Sequence, residues 1–245
     1  NALIHPWTKY PVRGVIWYQG CANAGDPRYF NRMRNMILDW RTRWHDGKMP
    51  FYQVQLASMG DAQINRKEDE NCWQTLPPAE VPEFALTREI QEEVAKNTGT
   101  GIVTALDAGE QWNIHPLNKK APGHRLARIV AHDVYGCNIA CRGPEFDHFE
   151  VLDDGAVKVF FNYAENGLLT SDGKAPGAFS LRGEDGKLHW AKAKIVGNAV
   201  EVRADSVKHP SEVRYAFVSY RGDINLMNRE GLPALPFRSN KPKYL

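Results

Sequence analysis

The sequence predicts two architectures in series. Residues 1–143 read as an α/β region on a mostly parallel sheet that lacks its first strands, and residues 144–245 as an antiparallel β-sandwich. Three observations carry this. Apolar runs of strand length alternate with helical periods as far as Gly136, the pattern of a parallel sheet covered on both faces. Beyond Gly143-Pro144 the helical period stops and turn signals recur at roughly ten-residue intervals. The composition is that of a folded domain: 245 residues, 42% hydrophobic, 24% charged and a net charge of +2. Such a balance excludes a disordered polyelectrolyte, a collagen-like repeat and a strongly basic nucleic-acid binder. No apolar run approaches the ~18 residues needed to cross a bilayer, so neither nucleic acid nor membrane is an expected partner.

The elements follow in order. Gly14-Val15-Ile16-Trp17-Tyr18-Gln19-Gly20 is a continuous apolar run ending in glycine, the signature of a fully buried strand. Tyr29, Phe30, Met33, Met36, Ile37 and Trp40 then recur at three- and four-residue steps, an amphipathic helix of about three turns. Phe51 to Leu56 is the second strand. From Ser58 to Pro82 the chain is polar and aperiodic, and a loop of that length in a compact domain is commonly functional. Leu86, Ile90 and Val94 mark the next helix, with Arg88, Glu89, Glu92 and Glu93 assigned to its wet side. Gly101 to Asp107 is a third strand. A last helix carries Leu126, Ile129, Val130 and Val134 and stops at Gly136, a favoured residue just past a helix end.

In the second half, Asp153-Asp154-Gly155, Glu184-Asp185-Gly186-Lys187 and Gly197-Asn198 separate short alternating runs such as Val157–Phe160, Val200–Val202 and Val213–Val218. Asp-Gly and Gly-Asn turns between such runs are hairpin signals. Cys21, Cys72, Cys137 and Cys141 are too few and too scattered for a disulfide scaffold, and no pair has a zinc spacing. They read as reduced, structural thiols. The opening Asn1-Ala2-Leu3-Ile4-His5-Pro6 has neither an initiator Met nor a signal-peptide pattern, and reads as the start of a piece of something longer.

Ligands of open α/β sheets bind at the carboxyl ends of the strands, and two such ends carry unusual residues. At Trp17–Asn23 a hydrophobic strand turns abruptly polar. Gly20 permits close backbone approach, and free N–H groups with the Gln19 or Asn23 amide suit an oxyanion. A plain strand-to-helix turn with amide capping is the structural alternative. At Asp107–Pro116 a strand is followed by a loop placing His115 before a helix, two residues after Asn113. That is a candidate general base with its orienter, or an ordinary loop histidine. Trp73 and Trp112, in loops on the same face, are candidates for ligand contact, whereas Trp17 and Trp40 fit core packing.

Together these segments resemble the sialate O-acetylesterase family of SGNH hydrolases. The likeness runs through Gly14–Gly20 with Asn23, Asp39-Trp40-Arg41-x-x-Trp44, Pro50-Phe51 to Gln55-Leu56-Ala57 and Leu86–Gln91. It continues in Ile114-His115-Pro116-x-Asn118-Lys119-Lys120, Gly123-x-Arg125-Leu126-Ala127 and the run Asn225–Arg238. The resemblance implies an SGNH/flavodoxin-like sheet, an O-acetylated carbohydrate as substrate, typically sialic acid, and acyl transfer through serine, histidine and carboxylate. No metal or organic cofactor is implied. His115 corresponds to the base and acid; Gln19, Gly20 and Asn23 correspond to the oxyanion and substrate-binding block. A secreted, periplasmic or lysosomal location is implied by the same likeness.

Three departures matter. The nucleophile block is absent: none of the seven serines sits in a Gly-x-Ser motif, and only Ser58 follows a parallel strand. The serine is therefore expected from outside this sequence, on an N-terminal fragment or a second chain. Asn113 stands where the family has Asp; in the serine-protease triad, Asp→Asn lowers turnover about 10⁴-fold by favouring the wrong tautomer. Cys21 stands where the family has Glu. Cys21, His115 and Asn113 also raise the idea of a Cys-His-Asn hydrolase, which requires the thiol within hydrogen-bond reach of His115. The rival reading is a catalytically impaired relative serving as a carbohydrate-binding or structural protein.

Overall fold

The computed structural model describes residues 3–60 and 71–242; the middle of the polar stretch 58–82 lies outside them. Three parallel strands, β1 (Val15–Trp17), β2 (Phe51–Val54) and β3 (Gly101–Val103), form a sheet in that order. Helix α1 (Tyr29–Arg43) connects β1 to β2 and α2 (Glu83–Thr98) connects β2 to β3, while α3 (Lys120–Tyr135) follows β3. Two successive crossovers of one hand put α1 and α2 on the same face. Phe51 points to that face, joining Tyr29, Phe30, Met33, Ile37, Ile90 and Val94. Tyr52 and Val54 point to the other and pack with Val103, Ala105 and Ile129 of α3. The alternation within β2 thus feeds two cores. Both α2 and α3 end on a glycine in the left-handed region, Gly99 at φ 60° and Gly136 at φ 69°.

Two expectations about this half are corrected. β1 is an edge strand, not a fully buried one: Ile16 is 66% exposed, because no described residue pairs beyond β1 or covers Ile16. The charged side of α2 is not wet: Arg88, Glu89 and Glu92 are all buried. The C-terminal β region lies against them and answers their charge, Arg238 gripping Glu89 through two 2.8 Å bonds and Lys241 reaching Glu92 at 3.0 Å. Helical periodicity reports the face that is apolar, and not whether the polar face meets water.

The rest is antiparallel. Strands β4 (Glu145–Val151), β5 (Val157–Asn162), β7 (Phe179–Arg182), β8 (Leu188–Val196), β9 (Ala199–Arg203), β10 (Glu212–Tyr215) and β12 (Phe237–Arg238) form one sheet in the order β12-β10-β7-β8-β9-β5-β4. Its two ends meet: Phe146 of β4 stacks on Phe237 of β12, ring centroids 4.3 Å apart. The expected pair of layers is therefore produced by one sheet curling almost into a barrel. The small pair β6 (Leu168–Thr170) and β11 (Leu226–Asn228) contributes Leu168 and Leu226 to its core. The β8–β9 hairpin turns on Gly197 at φ 63° with Val196 opposite Ala199, the two-residue turn with glycine first that the sequence indicates. Among the described residues no helix is long and apolar enough to cross a membrane.

Candidate active site

The polar turn after β1 is held from beneath. Tyr29 donates to the Gln19 carbonyl at 3.1 Å and Gln91 Nε2 donates to the same oxygen at 3.0 Å, while Gln91 Oε1 accepts from the Leu56 N–H at 3.0 Å. One helix side chain thereby locks the ends of β1 and β2 together. Gln19 Nε2 donates to Asn23 Oδ1 at 2.9 Å, so the two predicted amides form one unit. Gly20 sits at φ 145°, and a Cβ there would come within 3.2–3.3 Å of Leu56, Tyr29 and Gln91. Only glycine fits. Its N–H, at the head of the 3-10 turn Cys21–Asn23, has no acceptor among the described residues. A donor so placed and unspent is what an oxyanion site requires.

The histidine loop reaches this turn. Lys119 Nζ lies 5.3 Å from the Tyr18 ring centroid, bringing the segment after β3 against the segment after β1. His115 is exposed, and its ring makes no hydrogen bond with any described residue. Asn113 does not orient that ring: its Oδ1 accepts from the His115 backbone N–H at 2.9 Å, and its Nδ2 donates to Glu110 Oε2 at 3.0 Å. Glu110, which the sequence did not single out, is the carboxylate of the loop. It also accepts from the Leu117 N–H at 2.6 Å. That bond, the Asn113 amide and Lys119 hold it below the usual carboxylate range.

The other cysteine and serine candidates resolve plainly. Cys21 makes no bond to His115 among the described residues, and burial raises its thiol despite the opposing pull of Arg88 and Lys119. A protonated thiol is a poor nucleophile, so the Cys-His-Asn arrangement is not assembled here. Ser58 is buried and donates to the Leu106 carbonyl at 2.6 Å, packed against Gly109. It is structural. All four cysteines are free. His132, Asp133 and Cys141 bring ligand-type atoms within 4.8 Å of one another. However, His132 already bonds Asp133 at 2.7 Å and Arg142 pairs with that carboxylate at 3.1 Å, leaving an occupied charge pair and not a cation site.

Beneath the turn lies Arg88, fully buried and without an acidic partner among the described residues. Its guanidinium donates to the carbonyls of Leu56 (2.7 Å), Ala57 (3.0 Å), Val218 (2.6 Å) and Ser219 (3.1 Å). Burial pushes its pKa down to about 9, against the opposing electrostatic influence of Cys21 and Tyr18. Sequence patterning missed it because arginine on a helix face reads as solvated. Arg125 is committed to Asp107 by two 2.7 Å bonds, and Arg128 to the Ala140 and Glu230 carbonyls.

Next to the histidine loop opens a cleft of about 660 Å³ between the two halves of the chain. Trp73 and Trp112 line it as expected, joined by Trp190 of β8 and by Arg221. Arg221 lies between Trp190 and Trp73, its guanidinium carbon 3.9 and 4.9 Å from their ring centroids.

A parallel sheet with a glycine-turned amide block and a histidine loop at its strand ends, beside an aromatic cleft, puts a candidate site where open α/β sheets bind their ligands. Residues 4–130 match the carbohydrate esterase family of sialic acid-specific acetylesterases. The chain belongs to that family. It is 30% identical to mouse sialate O-acetylesterase over 190 residues, 69% of this chain and 30% of that protein. To the human sialate O-acetylesterase it is 27% identical over 168 residues, 62% of this chain and 30% of that one. A crystal structure of a carbohydrate acetylesterase from Xanthomonas citri superposes with a TM-score of 0.84 at 36% identity, over 97% of this chain and 52% of that one. The chain thus spans about half of that structure and under a third of the mammalian relatives.

Proposed function

We propose that this chain supplies the base and oxyanion half of a carbohydrate O-acetylesterase, with the nucleophilic serine carried by polypeptide outside these 245 residues. The observation that carries the reading is the unspent Gly20 N–H, fixed by Tyr29 and Gln91 at the strand ends that the His115 loop also reaches. Among the described residues no strand pairs with the outer edge of β1 beside that turn. In the reaction His115 takes the serine proton as the hydroxyl attacks the acetyl carbonyl, and Gly20 with the Gln19–Asn23 unit stabilises the oxyanion. His115 then gives that proton to the departing sugar oxygen. Next it deprotonates the water that attacks the acetyl-enzyme, and returning that proton to the serine frees acetate. The substrate is an O-acetylated sugar, sialic acid being the one the relatives' names indicate. The working place we propose is secreted, periplasmic or lysosomal, as the family likeness implies.

A second reading, a carbohydrate-binding relative with impaired catalysis, is favoured by one feature: both polar ends of Asn113 are spent on the loop, so no described residue hydrogen-bonds the His115 ring. Acetate release from an acetylated sugar, measured on this chain and on any longer natural polypeptide that contains it, separates the two. The esterase reading expects turnover in the longer form that His115→Ala abolishes and Asn113→Asp raises. Inert longer protein, or turnover indifferent to His115→Ala, sinks it.

A further inference from the structure

The antiparallel region carries a serine, a histidine and a carboxylate of its own. We infer that Ser206, His189 and Asp185 form a surface acyl-acceptor site, at which Ser206 takes a small acyl group from an activated ester. This site is independent of the esterase reading. His189 bridges the other two: Nδ1 lies 3.1 Å from Ser206 Oγ, and Nε2 lies 3.1 Å from Asp185 Oδ2 and 3.3 Å from Oδ1. A hydroxyl, a base within hydrogen-bond reach and a third group orienting that base are the parts of an activated serine. They are recognised by geometry and role, not by chain order. The roles follow from donors and acceptors. The Lys187 N–H at 2.9 Å, and then the His189 ring, hold the Asp185 carboxyl below its usual range. An ionised carboxylate only accepts, so Nε2 carries the ring proton and the bare Nδ1 accepts from the Ser206 hydroxyl.

The framework keeps the three together. Asp185 lies in the turn between β7 and β8, and His189 is the second residue of β8. A Cβ on Gly183 would lie 2.9 Å from Asp185 Oδ1, so the bare glycine is what lets the carboxylate fold back beside the strand. Ser206 follows β9 in a turn closed by the Val207 N–H on the Ala204 carbonyl at 3.0 Å, and buried Val207 anchors that turn in the β core. Ser206 is exposed, and its own N–H has no acceptor among the described residues, which leaves a donor for a developing oxyanion. Trp190 lines the cleft; successive strand residues point to opposite faces, so His189 faces away from it. The His189 and Asp185 side chains are 27% and 47% exposed. With little wall to grip a leaving group, the donor must bring its own reactivity, as an aryl ester or thioester does. Ser206 Oγ bonds to the acyl carbon as its proton passes to Nδ1. The ester bond then breaks, its electron pair leaves on the aryl oxygen or sulfur, and that atom takes the proton from His189.

A fluorophosphonate tests the nucleophile on the full 245-residue chain. The serine oxygen bonds to phosphorus, fluoride leaves with the P–F pair, and the stable adduct is located by peptide mass spectrometry. Ser206 should be labelled about a hundredfold faster than Ser171 and Ser211, which are also exposed. His189→Gln should remove that advantage and Asp185→Asn should lower it about tenfold. Ser206→Ala should cut p-nitrophenolate release from p-nitrophenyl acetate about tenfold. Nitrogen-15 NMR of the His189 ring adds a readout of positioning: the Nε2–H tautomer in the unmodified chain, and a mixture of tautomers in Asp185→Asn. Circular dichroism establishes that each variant is folded, and the comparison among serines of the unmodified chain needs no variant. Labelling of Ser206 no faster than Ser171 and Ser211 overturns the site, as does labelling indifferent to His189→Gln or release indifferent to Ser206→Ala. An unchanged tautomer in Asp185→Asn overturns the part given to Asp185. The labelled serine is read directly, so each outcome is distinct from acetate release in a longer form.

Discussion

Introducing a carboxylate at position 21 should stabilise the protein, because Arg88 is a buried cation without a counter-ion among the described residues. A guanidinium pushed down to about 9 by burial carries a penalty on the order of 5 kcal/mol in its charged form. Since its folded pKa is the lowered one, that penalty is fully present below pH 9 and is relieved only as pH rises toward the unfolded value. Cys21 is among the ionisable groups that act on Arg88, so Cys21→Glu would set the new charge near it. At an effective dielectric of about 20, opposite charges about 4 Å apart attract by about 4 kcal/mol. Desolvating a carboxylate at this half-buried position takes back roughly 2–3 kcal/mol of that. A net gain of about 1–2 kcal/mol remains, or a rise in Tm of about 2–8 °C for a chain of this size. The assay is urea denaturation followed by tryptophan fluorescence, with Cys21→Gln as the uncharged control. The introduced carboxylate has its folded pKa lowered by Arg88, so its contribution is present above about pH 4.3 and is lost as pH falls through the folded value. The gap between the Glu and Gln variants should be about 1–2 kcal/mol at pH 7 and should close as pH is lowered toward 3. Equal stabilities at pH 7, or a gap that persists in acid, would refute the argument that Arg88 lacks a partner.

Two further outcomes follow from the same packing. Gly20→Ala forces a side chain into a positive-φ turn already crowded by Leu56, Tyr29 and Gln91, and should cost about 1–3 kcal/mol by urea denaturation; a neutral result would mean that the turn is loose. Glu212→Gln removes the carboxylate that Arg182 and Arg214 both bond at 2.6 Å, from a site only 2% exposed. A loss of about 3–5 kcal/mol is expected, read as a lowered denaturation midpoint, and a loss near zero would show the pair to be replaceable.

What the sequence made legible was what is local. The helices of the first half, their glycine stops and the Gly197 hairpin depend on neighbours a few residues away, and the pattern of those residues is sufficient. The turn at Gln19–Gly20 was visible for the same reason, as an abrupt change of polarity at a strand end. Position 16 failed because a continuous apolar run looks the same on an edge strand as in a sheet centre; the difference lies in what packs beside it. Arg88 and Glu89 failed similarly. Their partners, Val218, Ser219 and Arg238, are 130 or more positions along the chain, and no helical period records them. The cleft was half legible: Trp73 and Trp112 announced themselves in loops, while Trp190 and Arg221 arrive from the antiparallel sheet and its connections.

That long-range contact gives the β region a part in the site beyond support. Gln91 fixes the Gln19 carbonyl and the Leu56 N–H. One helical turn earlier, Arg88 binds the Leu56 and Ala57 carbonyls on one side and those of Val218 and Ser219 on the other. Residues three apart on a helix share a face, so a single turn of α2 holds both the Gln19–Gly20 turn and the wall of the cleft that ends in Arg221. Four charge-assisted bonds to backbone carbonyls are also directional, and they leave little freedom for the wall to shift relative to the turn. The distance between the Gln19–Gly20 turn and the cleft wall is therefore set by α2. A buried arginine without a counter-ion among the described residues is tolerable there because it joins four carbonyls from two parts of the chain.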